Sequence, residues 1–268
     1  MLWRIFREIR YNPFWYRNFL YKKNISLCIF EWGEPEKRGI LGHFFRESKK
    51  IGIPTFSIPH GCSIFLNIDC NIYIKKLIKE KNQLPDYSIK NFYDCYVYQS
   101  EFSRDQAVKM GQNLKTTHAW GSTRFYEEWA EKNLELCPIF ISKKYKKSKI
   151  KVVLMLPHWD YNVNKENCIF LIEKLIKIDY IHLIIKDHTR GTGGLSKNLR
   201  KKYNCLTNAE ASIDVHSPAL IRWSDIVINF GSSIGIEALL QNKHLIHAKY
   251  LHENHTIFEE TKSVSPLG

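Results

Sequence analysis

The segment from Asp225 to His247, Asp-Ile-Val-Ile-Asn-Phe-Gly-Ser-Ser-Ile-Gly-Ile-Glu-Ala-Leu-Leu-Gln-Asn-Lys-His-Leu-Ile-His, constrains this chain more than any other. An apolar run over Ile226–Ile228 breaks at Gly231-Ser232-Ser233, and the apolar periodicity from Ile234 to Leu240 reads as a helix leading to a further strand. The turn therefore stands at the carboxyl end of a parallel strand and at the amino end of a helix. Unpaired backbone N–H groups and the helix dipole favour an anion there. Ser232 and Ser233 add hydroxyl donors. Glu237, one turn into the helix, is an acceptor placed to meet a ribose hydroxyl if a nucleotide phosphate fills the turn. The expectation is a nucleotide diphosphate site.

The rest of the chain is long enough to build a sheet around that unit. Its 268 residues suit one large domain or two ordinary ones, and an apolar share of 44% suits a full core. Forty Lys and Arg against 27 Asp and Glu leave a formal charge of +13, with one dense cluster at Lys143-Lys144-Tyr145-Lys146-Lys147. Such a balance is a solvated basic surface or a sign of acidic partners, with phosphorylated small molecules and anionic membrane surfaces ahead of nucleic acid. No nucleic-acid-binding module is recognisable. Seven cysteines form no C-x-x-C pair, which argues against a zinc ribbon or a disulfide framework and for reduced thiols in the cytoplasm. No apolar run approaches the roughly 20 residues that span a bilayer. Residues 1–23 mix Trp3, Phe6, Phe14, Trp15, Tyr16 and Phe19 with basic residues, so they read either as an ordinary covering helix or as a peripheral contact with the inner face of a membrane.

Two strand-and-helix series can be followed, on either side of a basic stretch near residue 145. In the first, Ile25–Phe30, Thr55–Ile58 and Cys95–Gln99 read as strands. Leu41–Lys50 reads as a helix, and Ser100 and Gly111 cap another that runs to Met110. In the second, Lys151–Leu156 and Ile181–Ile185 read as strands, Ile169–Ile178 as a helix, and Ser217-Pro218 as the N-cap and first residue of a short helix. Alternation of this kind predicts an α/β fold of two Rossmann-like domains with parallel sheets. The expected boundaries are 1–140 and 141–268, both domains being partial.

Ligands in such sheets bind beyond the carboxyl ends of the strands, where the polar residues of this chain collect. Lys186, His188 and Arg190 alternate along a strand exit and would share one side if the extended geometry continues, a set of cations suited to phosphate. The same pattern also fits a solvated exit into the Gly191–Gly194 loop. His60, between Pro59 and Gly61, is a packed turn residue or an imidazole brought close to a ligand by the glycine, and the matching position of His188 favours the chemical role. Glu31 follows a strand and either deprotonates an acceptor hydroxyl or lies in a solvated loop. Arg124 holds a phosphate or pins an interdomain turn. His252 and Asn254 stand near the place where a base or sugar would project, or begin a polar surface helix. His158 with Asp160 is too small a set for a metal, so metal-independent chemistry without a cofactor is expected. The phosphate-loop, G-x-G-x-x-G, H-E-x-x-H and G-x-S-x-G patterns do not occur.

Four short segments in order resemble motifs of GT-B glycosyltransferases and of the related CDP-glycerol glycerophosphotransferases of surface polymer synthesis. They are Gly52-Ile53-Pro54-Thr55-Phe56-Ser57-Ile58-Pro59-His60-Gly61, Gly121-Ser122-Thr123-Arg124-Phe125, Lys186-Asp187-His188, and Ser232-Ser233 through Glu237-Ala238. Thr189 stands where the family carries proline after the histidine. The resemblance implies an N-terminal acceptor-side domain and a C-terminal domain that binds the nucleotide-activated donor. By that carry-over Lys186, His188, Arg190, Ser232 and Ser233 stabilise the donor phosphates, Glu237 binds the ribose, and His60 faces the acceptor as base or positioning group.

The activity so implied is transfer of a sugar from a nucleotide-sugar donor to a saccharide or lipid-linked acceptor. Glycerophosphate transfer from CDP-glycerol is the nearest alternative, and a non-catalytic nucleotide-binding or assembly subunit is the alternative of another class. An epimerase of the same fold is less favoured, because the carboxylates expected around its sugar are not evident.

Overall fold

A computed structural model of the protein describes residues 12–31, 39–59, 61, 72–147, 149–159, 163–188, 194–212, 214–252, 256–260 and 265–266. The chain divides into two compact units, one of residues 1–68 and 73–123 and the other of residues 124–268 together with 69–72. The division falls earlier than the expected boundary at residue 140.

The first unit carries four parallel strands in the order β1-β2-β3-β4, namely β1 (Cys28–Glu31), β2 (Thr55–Ile58), β3 (Cys95–Tyr98) and β4 (Thr117–Ala119). Its helices are α1 (Pro13–Lys22), α2 (Ile40–Lys50), α3 (Ile72–Lys81) and α4 (Glu101–Lys109). Aromatic side chains fill the space between them: Phe30, Phe45, Tyr93, Tyr96 and Tyr98 form a buried cluster with Ala107 and Met110. The expected N-cap of α4 is present, Ser100 Oγ accepting from the Ser103 amide, whereas the C-cap is Met110 and Gly111 follows it at φ +94°.

The second unit holds six parallel strands, β5 (Ile150–Met155), β6 (Ile181–Lys186), β7 (Ala209–Ser212), β8 (Ile226–Asn229), β9 (His244–His247) and the two-residue β10 (Ser265–Pro266). Their order is β10-β9-β8-β5-β6-β7. The chain moves outward from β5 through β6 to β7, then returns to the other side of β5 as β8. That reversal between β5 and β8 is the switch point at which ligands bind in open α/β sheets. Helices α5 (Glu127–Leu136), α6 (Lys165–Leu175), α7 (Lys197–Asn204), α8 (Ser217–Trp223) and α9 (Ile234–Leu240) join and cover the strands. α8 opens one residue earlier than the sequence predicts, because His216 is the N-cap and Ser217 already has helical geometry.

Every residue of β6 is buried, as expected for a central parallel strand covered on both faces. Its apolar run is interrupted by His182, which is fully buried and lies 2.9 Å from Glu210 on β7 through Nε2. Ser142 donates to the same carboxylate. The Nε2 atom of this polar side chain is thereby satisfied within the core strand, while Nδ1 is buried without a hydrogen-bond partner among the described residues. Among the described residues no helix is long and apolar enough to cross a membrane.

Candidate functional site

Strand pairing in the second unit brings one row of residues to the carboxyl edge of the sheet. Lys186 is level with Met155 and Ser212, and Met155 is level with Asn229, which in turn faces His247. Beyond that row the chain leaves β5 through His158, β6 through Asp187 and His188, and β8 through Gly231, Ser232 and Ser233.

The turn after β8 is built by side chains from beneath. Asn229 is fully buried and donates from Nδ2 to the Ser232 carbonyl at 2.9 Å, which folds the chain back over the strand end. Gly231 has φ +62°, a conformation that strains any residue with a β-carbon. The His252 imidazole occupies the space a side chain would need. Ser233 is the N-cap of α9 but makes no side-chain capping bond, while Ser232 Oγ accepts weakly from the Ile234 amide at 3.4 Å. His252 is buried and bridges to Val163, so this residue supports the serine turn from inside, while residues 253–255 lie outside the described residues.

Beside that edge lies a cavity of about 480 Å³ lined by Arg124, Trp129, Asn133, Cys137, Lys186, Glu237 and the stretch Asp214–Pro218. Glu237 projects into it from α9 with its side chain only 11% exposed. Arg124 donates from Nε to Glu237 Oε1 at 2.6 Å and pairs with the same oxygen through Nη2. Glu237 Oε2 is buried and has no hydrogen-bond partner among the described residues. Burial pushes the Glu237 carboxyl above its ordinary range, against the pull of the Arg124 charge. Lys186 shares the cavity. Burial holds its ammonium below the ordinary lysine range, opposed by the nearby Asp214 and Asp187 charges.

The far wall is fixed in its turn. Arg222 on α8 donates to the carbonyls of Leu134, Cys137 and Pro138 at 2.7, 3.1 and 3.3 Å, which anchors the end of α5 and so places Trp129 and Asn133 on the cavity. Asp187 steadies the exit of β6, accepting from the Leu195 amide at 3.0 Å and pairing with Arg200 at 2.8 Å.

Of the residues expected at the site, Lys186, Glu237 and Arg124 line one cavity, and Gly231, Ser232, Ser233 and His252 form the adjoining turn. Of the cationic face expected from Lys186, His188 and Arg190, Lys186 is the last residue of β6 and His188 lies past the strand end. His188 is half-buried with its ring edge-on to His158 at a centroid distance of 5.5 Å. No group of three metal-capable side chains occurs among the described residues. Glu31 ends β1 and is exposed, and Gly61 is buried, both in the first unit. His60, Arg190 and Asn254 lie outside the described residues. Sequence reasoning missed Asn229, Trp129 and Asn133. Asn229 carried a signal, a polar residue closing an apolar run just before a glycine, whereas nothing local marked the α5 pair.

No family model matches the sequence, and no curated protein is detectably similar to it. The fold is similar to that of UDP-GlcNAc 2-epimerases. The Methanocaldococcus jannaschii enzyme, solved in complex with UDP-GlcNAc and UDP, matches with a TM-score of 0.60 at 13% identity, over 96% of this chain and 68% of that one. The Neisseria meningitidis enzyme bound to UDP-GlcNAc matches at 0.54 with 14% identity, over 90% and 64% of the two chains. A putative enzyme from Listeria monocytogenes matches at 0.56 with 10% identity, over 90% and 62%. The chain thus spans roughly two thirds of the length of these proteins. Identities this low carry the fold and nothing finer. The architecture is α/β with two Rossmann-like domains of the GT-B-like class, as the sequence predicts.

Proposed function

We propose that this protein is a nucleotide-sugar-dependent enzyme whose second unit binds the donor and whose reaction is transfer of the sugar to an acceptor hydroxyl. The observation that carries the reading is the cavity at the carboxyl edge of the second sheet, where a buried carboxylate with one unpartnered oxygen, Glu237, faces the cations Arg124 and Lys186. A carboxylate in that state accepts hydrogen bonds from a diol such as the ribose of a nucleotide, and the cations suit the charge of its phosphates. Bond cleavage at the sugar leaves negative charge on the departing diphosphate. Lys186, with the Ser232 and Ser233 hydroxyls and the amides of their turn, is suited to hold that charge as it develops. His188 would add a donor at the strand exit, with Arg190 beyond it.

On this reading His60 and Glu31 act on the acceptor side, one as base and the other as orienting group. The donor is a substrate and no cofactor is assigned. The acceptor is a saccharide or a lipid-linked saccharide, and a peripheral site at a membrane surface would suit the latter.

A second reading has a specific observation in its favour. The likeness to UDP-GlcNAc 2-epimerases fits a chain that inverts a centre of the nucleotide sugar instead of transferring it. Product analysis separates the two. Incubation with UDP-sugars and saccharide acceptors yields free UDP and an extended saccharide under transfer, but an isomeric UDP-sugar under epimerisation. CDP-glycerol in the same assay covers glycerophosphate transfer. Absence of thermal stabilisation by millimolar UDP, CDP, GDP or ADP would overturn the nucleotide site itself, because ligand at a hundred times its Kd adds about 2.7 kcal/mol to stability.

A further inference from the structure

Arg124 and Glu237 are unequal partners. The Glu237 side chain is 11% exposed and fixed in α9, whereas the Arg124 side chain is 38% exposed and reaches in from the short 3₁₀ turn Thr123–Phe125. Both guanidinium contacts fall on Oε1, while Oε2 stays buried without a partner among the described residues. The carboxylate is thus neutralised but only half used. A ligand diol that takes Glu237 through both oxygens must compete with the guanidinium for Oε1. Removing the arginine outright would leave a buried carboxylate without its counter-charge, which is strongly unfavourable. That cost is offset only if the displaced guanidinium stays in the cavity and finds an anion there. Lys186, lining the same cavity, supplies the fixed cation beside which such an anion would sit.

We propose that Arg124 exchanges partners when the cavity fills, passing from Glu237 to the phosphates of the ligand, so that the site selects molecules in which a diol and a diphosphate arrive together. The proposal rests on the nucleotide-donor reading of this cavity and deepens it. Arg124 is then a specificity residue: it blocks the diol site against neutral nucleosides and rewards the charged ligand that relocates it. A ribonucleoside diphosphate meets both demands, and a nucleoside or a 2′-deoxynucleotide meets only part of them.

The test measures binding to the full chain by calorimetry. UDP, CDP, GDP and ADP are screened first, and the tightest of them is compared with its nucleoside and its 2′-deoxy form in wild type, Arg124→Gln and Arg124→Lys. The expected result is that Arg124→Gln weakens the diphosphate at least tenfold while leaving the nucleoside unchanged or tighter. Arg124→Lys, which keeps the charge but loses the fork, should fall between, and it serves as the readout if the glutamine variant does not fold. Equal loss for nucleoside and diphosphate in the variants, or no loss for either, overturns the exchange while leaving the nucleotide site standing. Failure of all four diphosphates to bind wild type overturns the donor reading and the exchange with it.

Discussion

A β-carbon placed on Gly231 would stand 2.5 Å from both Cδ2 and Nε2 of the His252 imidazole, at a backbone φ of +62°. The glycine is therefore demanded twice, once by its own conformation and once by the histidine beneath it. Gly231→Ala is expected to lower stability by about 2–4 kcal/mol, adding the cost of a forced contact to that of left-handed backbone. Gly52 has a similar φ of +74° but open space around it, so Gly52→Ala should cost only about 1 kcal/mol. Denaturant unfolding of both variants checks the difference. The Gly231 variant should also lose the thermal shift given by nucleotide.

The contrast shows what could be read from the chain alone. A glycine between an apolar run and a helix marks a tight turn, whereas the histidine that makes it irreplaceable lies in another segment. Strands bounded by strong punctuation were legible, and Thr55–Ile58, closed by Pro59, falls where the sequence places it. β1 begins at Cys28 and not at Ile25 because the Ile25 amide bonds the Leu20 carbonyl at 3.0 Å, closing α1 through Asn24 at φ +50°. Apolarity marked the run but could not show that its first amide was already used. Likewise α6 starts at Lys165, well before the apolar stretch from Ile169, because Asn164 caps it by accepting from the Asn167 amide at 3.0 Å. Within the site, Glu237 and Lys186 were legible from their places at strand and helix ends. The Arg124–Glu237 pair spans 113 positions and is a product of tertiary packing.

Asn229 ties β8 to the serine turn, and its substitutions should separate a lost bond from an unfavourable charge. Asn229→Ala removes the donor to the Ser232 carbonyl and is expected to cost about 1–3 kcal/mol. Asn229→Asp keeps the shape but puts a carboxylate in a fully buried position against that carbonyl. It should be the more destabilising of the two at neutral pH, and the gap between them should narrow as the solution is acidified. Thermal melts at pH 5 and pH 7 measure both effects.

Glu210 governs an acid limb of stability. The hydrogen bond from buried His182 holds its carboxyl below the ordinary range, with Ser142 adding to the effect. A depressed carboxyl stabilises the fold above its unfolded pKa of about 4.5 and loses that contribution as pH falls through the lower folded value. Glu210→Gln should therefore lower stability at pH 7 by about 1 kcal/mol and flatten the decline of wild type below pH 4.5. A variant with an unchanged acid limb would show that other carboxylates set it.

Glu237 has the opposite sign. Burial raises its carboxyl above the unfolded value, so the folded chain binds the proton more tightly and the group weakens the fold as pH rises from about 4.5 through the raised folded pKa. The Arg124 pair reduces that cost without abolishing it, since the carboxyl remains raised. Glu237→Gln is expected to melt a few degrees higher than wild type at pH 7, because the buried charge is gone and Arg124, itself partly exposed, can turn to water. The same change leaves one neutral acceptor oxygen and an amide donor where the ribose reading needs two charged acceptors, and nucleotide should raise the melting temperature far less. Gain of stability with loss of binding is the mark of a residue kept strained for its ligand. If Glu237→Gln melts lower than wild type while still being stabilised by nucleotide, Glu237 is a structural partner of Arg124 and the ribose must be held elsewhere.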